Sequence, residues 1–330
     1  MKFLSNKVIL VTGGTGTFGK AVIRKILESD FKKLIVFSRD ELKQFELMSE
    51  FKLLPNFDLV QFYLGDIRDS ERVNQVMHGV DIVIHAAAMK QVSAAEDNPL
   101  EAIKTNIFGT ENIVRSSIEN QVDKVISLST DKAANPANLY GATKLCSDKL
   151  IIAGNSFPGD TKTKFSVVRY GNVLGSRGSV IPYFKSQIQY NEIPITDIRM
   201  TRFWITSNQA SSFVLNRLSD MQGGEIFIPK IPSCKVLDVA KIICPNIPIK
   251  IIGIRPGEKL HETMITIDDS YNTIEMNKYY VILSHLLKNN KYYKDKGIKV
   301  AEGFSYTSEN NHIWFSNREF KETLIRENLI

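Results

Sequence analysis

The sequence predicts an α/β protein, a doubly wound parallel sheet joined to a smaller, irregular α/β region. Three observations carry that reading. Over the first half of the 330 residues, short apolar runs alternate with stretches of helical periodicity. A glycine-rich turn lies between the first such run and the first helix. After about Tyr170 the alternation stops, and Pro182, Pro194, Pro229, Pro232, Pro245, Pro248 and Pro256 break the chain into shorter elements. Strands separated by helices imply βαβ crossovers and a parallel sheet covered on both faces.

Val8–Val11 is a β-branched apolar run that stops at Gly13, as a buried parallel strand does. Thr17–Glu28 places Phe18, Val22, Ile23, Ile26 and Leu27 at helical spacing. Leu34–Phe37 is a second strand, and Asp40 to about Phe51 a second helix, capped by Ser38 or Asp40. Val60–Leu64 and Asp81–His85 give the third and fourth strands. Pro99 opens a long helix with Ile103, Ile107, Ile113, Val114 and Ile118 on its apolar face. Lys124–Ser129 and Phe165–Arg169 supply the fifth and sixth strands. Further on, helices are expected near 206–219 and 236–243.

Composition bounds the function. Hydrophobic residues make up 43% and charged residues 24%, which excludes disordered, collagen-like and disulfide-stapled chains. The net charge of +6 is modest and mostly scattered. Its one cluster, Lys288, Lys291, Lys294, Lys296 and Lys299, reads as a solvated surface and not as a nucleic-acid site. Cys146, Cys234 and Cys244 lack CxxC spacing, which fits a reducing cytoplasm. No apolar run reaches the ~18 residues of a membrane span. No His/Cys/Asp cluster has metal spacing, so no metal is expected.

The first turn reads Gly13-Gly14-Thr15-Gly16-Thr17-Phe18-Gly19. Glycines there permit positive φ and let backbone amides approach a pyrophosphate at a helix N-terminus, the Rossmann-type arrangement. The second strand ends in Ser38-Arg39-Asp40, with Lys43 one helical turn on. A guanidinium suits the 2′-phosphate of NADP, whereas Asp40 keeps NAD open. Asp66, after the third strand, is placed either to bond the adenine amino group or to form a turn. Residues 1–170 are thus expected to form an NADP-binding domain whose sheet is completed by later segments, with 171–330 mainly binding substrate.

Tyr140 and Lys144 share a helix face at i and i+4. An ammonium beside a phenol favours the phenolate, and lowering a pKa of about 10 by two or three units is worth roughly 3–4 kcal/mol. Such a phenolate takes a proton from a sugar hydroxyl. Thr130, ten residues before Tyr140 at the end of the fifth strand, is placed to share the substrate hydrogen bond. His85, before Ala86, reads as a packed or hydrogen-bonded histidine.

These motifs resemble the extended short-chain dehydrogenase/reductases. SRDELKQ (38–44), HAAAMKQV (85–92), STDKAANP (129–136), LYGATKLCSDKL (139–150), VVRYGNVLGSRGSV (167–180), ITDIRMTRFWIT (195–206), GGEIFIPKIPS (223–233) and GIRPGEKLHE (253–262) narrow the resemblance to the inverting UDP-N-acetylglucosamine 4,6-dehydratases of pseudaminic acid biosynthesis. The resemblance implies NADP, with Ile67, Ala86 and Lys90 joining the cofactor site. It implies C4 oxidation by Tyr140, Lys144 and Thr130, then elimination of water using Asp131 and Lys132 as acid and base. For Lys132 to act as a base its pKa must fall, through burial and the neighbouring Lys144 and Lys90. Lys90, Asn172, Arg177, Arg199, Arg255 and Glu258 fall in motifs that hold the diphosphate and sugar, and Val180 and Thr196 wall the uridine. A homo-oligomer, dimer or hexamer, is also implied. A retaining dehydratase, a UDP-sugar 4-epimerase and a non-catalytic NADP-binding regulator are the competing readings.

Overall fold

The computed structural model describes residues 1–157, 162–287 and 290–330. Lys288 of the basic cluster lies outside them. The first half builds β1 (Val8–Thr12), α1 (Thr17–Leu27), β2 (Lys33–Ser38), α2 (Glu41–Phe51), β3 (Val60–Leu64), α3 (Ser70–Met77), β4 (Ile82–His85), α4 (Val92–Asp97), α5 (Pro99–Ile103), α6 (Gly109–Glu119), β5 (Lys124–Thr130), α7 (Leu139–Ala153) and β6 (Lys164–Tyr170). The second half adds β7 (Asn172–Val173), α8 (Val180–Gln187), β8 (Ile193–Ile195), β9 (Thr201–Ile205), α9 (Ser207–Asp220), β10 (Glu225–Pro229), β11 (Ser233–Lys235), α10 (Val236–Ile243), β12 (Ile249–Ile251), β13 (Thr263–Ile265), β14 (Thr273–Glu275), β15 (Tyr279–Leu283), α11 (Lys291–Lys296), β16 (Ile298–Lys299), β17 (Tyr306–Thr307) and α12 (Asn317–Arg326).

Among the described residues one large sheet runs β16-β14-β15-β10-β6-β5-β4-β1-β2-β3. Its strands from β3 to β10 pair in parallel, while β15, β14 and β16 add on antiparallel. Alternate residues of the central strands serve opposite faces, as a pleat requires. Ile9, Val11, Val36, Ile84 and Ile126 pack with Val22 and Ile26 of α1 and Val214 of α9. Leu10, Ile35, Val83 and Val125 pack with Val73 of α3 and Ile113 of α6. The strand order reverses between β1 and β4, so a crevice opens beyond the carboxyl ends of these strands. Over that crevice a third core forms from Leu174, Ile181, Phe184, Ile195, Trp204, Val239 and Phe320.

One sequence expectation changes. The helix opened by Pro99 is not continuous: a π-helical turn, Lys104–Phe108, interrupts it. That turn points Asn106 inward, where its side chain accepts from Met89 N at 2.8 Å and donates to Met89 O at 2.9 Å. Later segments complete the sheet. β10, from well after Tyr170, lies parallel beside β6, and β15 follows it. Asp40, not Ser38, caps α2, accepting from Lys43 N. No helix among the described residues is long and apolar enough to cross a membrane.

Candidate functional site

A cavity of about 920 Å³ occupies the crevice, within the range that holds small-molecule ligands. It brings together Gly13, Thr15, Gly16, Thr17, Phe18, Gly19, Ser38, Arg39, Asp40, Lys43, Ile67, Ala86, Lys90, Thr130, Lys132, Tyr140, Lys144, Asn172, Arg177, Val180, Thr196, Arg255 and Glu258. Residues spread over 246 positions of sequence, Gly13 to Glu258 counted inclusively, thus meet in one space. Asp66, Asp131 and Arg199 stand outside its lining.

The turn after β1 fits a dinucleotide. Gly13 holds φ +66°, and a Cβ there would lie 2.8 Å from the Ala87 backbone. A Cβ on Gly19 would lie 2.5 Å from the carbonyl oxygens of Gly13 and Gly14. Backbone therefore fills the space side chains would need, and a pyrophosphate is what such a cradle accepts. Gly16 stands at the N-cap of α1, so no side chain caps its first amides. At the end of β2, Arg39 is exposed and lies 3.4 Å from Asp66, while Lys43 Nζ lies 2.5 Å from Asp40. Asp66 Oδ1 accepts from Arg68 N at 3.0 Å, and its other oxygen takes the Arg68 guanidinium at 2.7 Å. Asp66 therefore forms a turn.

The reaction end is built on the strand β5 and the helix α7. Thr130 Oγ1 donates to Asp131 Oδ1 at 3.0 Å, and Lys132 Nζ donates to the same oxygen at 3.0 Å. Asp131 is fully buried behind these two, and its Oδ2 has no hydrogen-bond partner. Asn138 caps α7 by accepting from Gly141 N at 2.8 Å, which sets Tyr140 and Lys144 on the first turns. Lys144 is buried, and burial lowers it against the pull of Asp148 on the next turn. His85 is buried between Thr12 Oγ1 at 2.8 Å and Thr110 Oγ1 at 3.4 Å; burial, then Lys144, push its pKa down to about 3. It is a packed, neutral histidine, as expected.

Two electrostatic expectations are corrected. The expected fall in Lys132 does not occur. Burial opposes its charge, but the carboxylates of Asp131 and of Glu262, 3.3 Å away, overcome that and raise it above an ordinary lysine. Its close neighbours are anions, not Lys144 and Lys90. Tyr140 is likewise not lowered by Lys144. Burial pushes the phenol up to about 12, opposed by Lys132 and a hydrogen bond with Thr130. Asp131 is raised, mainly by burial.

The substrate-side residues are locally paired. Lys90 Nζ donates to Arg177 O at 3.0 Å. Arg177 reaches Glu46 at 4.0 Å and Arg255 reaches Glu258 at 3.9 Å. Arg199 pairs with Asp197 at 2.7 Å and is highly exposed, so its guanidinium serves the Asp197 turn at the cavity's margin. Sequence reasoning assigned no role to Arg202, Lys259 and Glu262, although the ITDIRMTRFWIT and GIRPGEKLHE motifs contain them. All three line the cavity. Lys259 Nζ donates to Ala134 O at 2.7 Å, and Asn138 Nδ2 donates to Gly257 O at 2.9 Å. These two bonds stitch the 255–262 segment to the loop after β5. Among the described residues no group of acidic, His and Cys side chains is arranged to hold a metal ion.

Known proteins are similar to this chain in sequence and fold. A family described as polysaccharide biosynthesis protein matches residues 9–284. The chain is 53% identical, over 97% of its length and 98% of the relative's, to the UDP-N-acetylglucosamine 4,6-dehydratase (inverting) of Campylobacter jejuni. It is 39% identical, over 98% of its length and 97% of the relative's, to a protein of Rickettsia canadensis named UDP-glucose 4-epimerase. The solved structure of Pen from Bacillus thuringiensis superposes with a TM-score of 0.92 at 38% identity, covering 99% of this chain and 100% of that one. The chain belongs to the polysaccharide biosynthesis protein family, on the short-chain dehydrogenase/reductase scaffold that its motifs resemble.

Proposed function

We propose that this protein is an NADP-dependent UDP-N-acetylglucosamine 4,6-dehydratase that inverts C5, a hydro-lyase. Its product is UDP-2-acetamido-2,6-dideoxy-β-L-arabino-hex-4-ulose plus water. The observation that carries the reading is the Asp131–Lys132 pair at 3.0 Å, opening on the cavity that Tyr140 lines. Oxidation and reduction at C4 alone, the epimerase reaction, need Tyr140 and Thr130 but no such pair. The inverting dehydratase of Campylobacter jejuni supports the same choice.

Gly13, Gly16, Gly19 and Thr15 would hold the pyrophosphate, with Arg39 and Lys43 at the 2′-phosphate. A nicotinamide bound there would supply hydride chemistry, accepting from C4 and donating to C6. Once its own phenol proton has passed to solvent, Tyr140 as the phenolate takes the C4 hydroxyl proton, steadied by Thr130, and the ketone then acidifies the C5 hydrogen. Transfer of one proton from Lys132 to Asp131 leaves a neutral amine at the cavity and a neutral acid behind it. That amine takes the C5 proton; the electron pair forms C5=C6, C6–O6 breaks, and O6 leaves as water with the proton that Lys132 returns. Reprotonation of C5 from the opposite face inverts it, and Tyr140 and Lys132 are the proton-bearing groups at hand. Lys90, Asn172, Arg177, Arg255 and Glu258 would hold the diphosphate and sugar, with Val180 and Thr196 against the uridine. Arg199 would reach the diphosphate from the rim. The resemblance further supports a cytoplasmic homo-oligomer acting in pseudaminic acid biosynthesis for surface or flagellin glycosylation.

The test is incubation with UDP-N-acetylglucosamine and NADP in D2O, with time-resolved NMR of the products. The L-arabino 4-keto sugar should appear first, with deuterium at C5 and the former C4 hydrogen at C6. A D-xylo product that persists alone makes this a retaining enzyme. UDP-N-acetylgalactosamine without loss of water makes it an epimerase, the reading that the Rickettsia relative favours.

A further inference from the structure

We infer that Glu262 is a positioning residue of the elimination site: its Oε1, 3.3 Å from Lys132 Nζ and 3.5 Å from Arg202 Nε, holds the Lys132 amine between two carboxylates at the cavity wall. The inference rests on the reaction proposed above and assigns a residue to it that no motif reading singled out.

The geometry is specific. Glu262 is 2% exposed, yet it lines the cavity, and its Oε2 has no hydrogen-bond partner. A buried carboxylate is costly to keep unless cations hold it. Its backbone is fixed from both sides: Glu262 N donates to Ser308 Oγ at 2.9 Å, and Ser308 N donates to Glu262 O at 2.8 Å. Arg202 grips the approach, donating to Leu260 O and Lys259 O at 3.0 Å each. The carboxylate is therefore delivered to Lys132 by rigid structure.

The charged and titratable groups facing Lys132 are Asp131, Glu262, Arg202, Lys259 and Tyr140. Asp131 and Glu262 differ in their leaning. Burial raises Asp131, whereas Lys132, Arg202 and Lys259 overcome the burial of Glu262 and lower it. An added proton therefore goes to Asp131, while Glu262 stays ionised. A fixed negative charge beside the Asp131–Lys132 pair favours protonation of both members. Glu262 thus stabilises the doubly protonated pair formed when Lys132 takes the C5 proton, before that proton passes to O6. C4 oxidation needs no such proton.

The experiment compares Glu262→Gln and Glu262→Asp with the parent enzyme, using NADP and UDP-N-acetylglucosamine. Single-turnover absorbance reads C4 oxidation, and NMR reads loss of water. In the Gln variant, oxidation should stay within about threefold of the parent. Elimination should fall at least about tenfold, and its alkaline limb should move to lower pH by about one unit, since an opposite charge within hydrogen-bonding range of Lys132 is gone. The Asp variant, which keeps the charge, should restore the limb. NMR of the Lys132 amine without substrate should show the proton lost at lower pH in the Gln variant. Oxidation and elimination falling together, or elimination falling with no shift of the limb, overturns the assignment, as does a Gln variant that eliminates like the parent. Should the Gln variant fail to fold, the Asp variant decides. Retracting the carboxylate should slow elimination at least about threefold while reduced cofactor accumulates, and unchanged partitioning overturns the assignment. A parent that never eliminates water overturns the proposed function instead.

Discussion

The guanidinium of Arg39 reaches across the end of β2 to within 3.4 Å of Asp66, an exposed ion pair at the rim of the cavity. Such pairs are worth little to the fold. Arg39 is therefore available to a phosphate at small cost. Arg39→Ala should weaken NADP by roughly 1.5–3 kcal/mol, the loss of a charged hydrogen bond, and NAD by much less. Calorimetric titration with both dinucleotides checks this. Equal losses would remove Arg39 from the 2′-phosphate site.

Redox chemistry and elimination should separate by mutation. Tyr140→Phe removes the group that takes the C4 hydroxyl proton, so no reduced cofactor should appear in a single turnover. Lys132→Ala should still oxidise C4 and then stall at the 4-keto sugar with reduced cofactor held. The two variants showing the same absorbance change of the nicotinamide would refute this division of labour.

His85 predicts how stability depends on pH. Its folded pKa is lowered to about 3, against an ordinary value of 6.5. Between these values the unfolded chain binds the extra proton, so stability rises with pH there. The contribution is present above about 6.5 and is lost as pH falls toward 3. Melting temperature should therefore drop as the pH is lowered from neutral through that window, and His85→Gln should flatten the slope. An unchanged slope in the variant would contradict the burial of a neutral ring.

Glu225 anchors the sheet's extension. It accepts from Ser166 Oγ at 2.5 Å, Tyr293 Oη at 2.7 Å, Gln222 N at 2.6 Å and Gly223 N at 2.9 Å, all around a fully buried carboxylate. Glu225→Ala orphans several donors at once and should cost at least about 3 kcal/mol. Thermal and urea melts would measure it. A loss under about 1 kcal/mol, against that ~3 kcal/mol expectation, would mean that water satisfies those donors.

The first half of the fold was legible because it is local. A strand such as Val8–Thr12 shows its burial in its own residues, and the glycine turn after it marks where the first helix must start. The helix Ser70–Met77 was missed although Asp69 caps it, because it spans only eight mostly polar residues, three of them buried. β10 and β15 were missed for a different reason. Their pairing with β6 and with each other is set by contacts across fifty or more positions. At the site, Tyr140, Lys144, Thr130, Asp131 and Lys132 were legible from spacing and resemblance. Their charges were not, because Glu262 stands 130 positions from Lys132 and no spacing rule connects the two.

The bonds from Lys259 to Ala134 and from Asn138 to Gly257 have a mechanical consequence. They join two segments, with Arg255 and Glu258 at one end and Lys132 at the other. A diphosphate gripped at the far end would pull the amine into line at the hexose. Recognition of the part of the substrate that does not react would thereby be converted into alignment of the part that does. A sugar stripped of its nucleotide would lose turnover as well as affinity, because nothing would engage the far end of the joined segments.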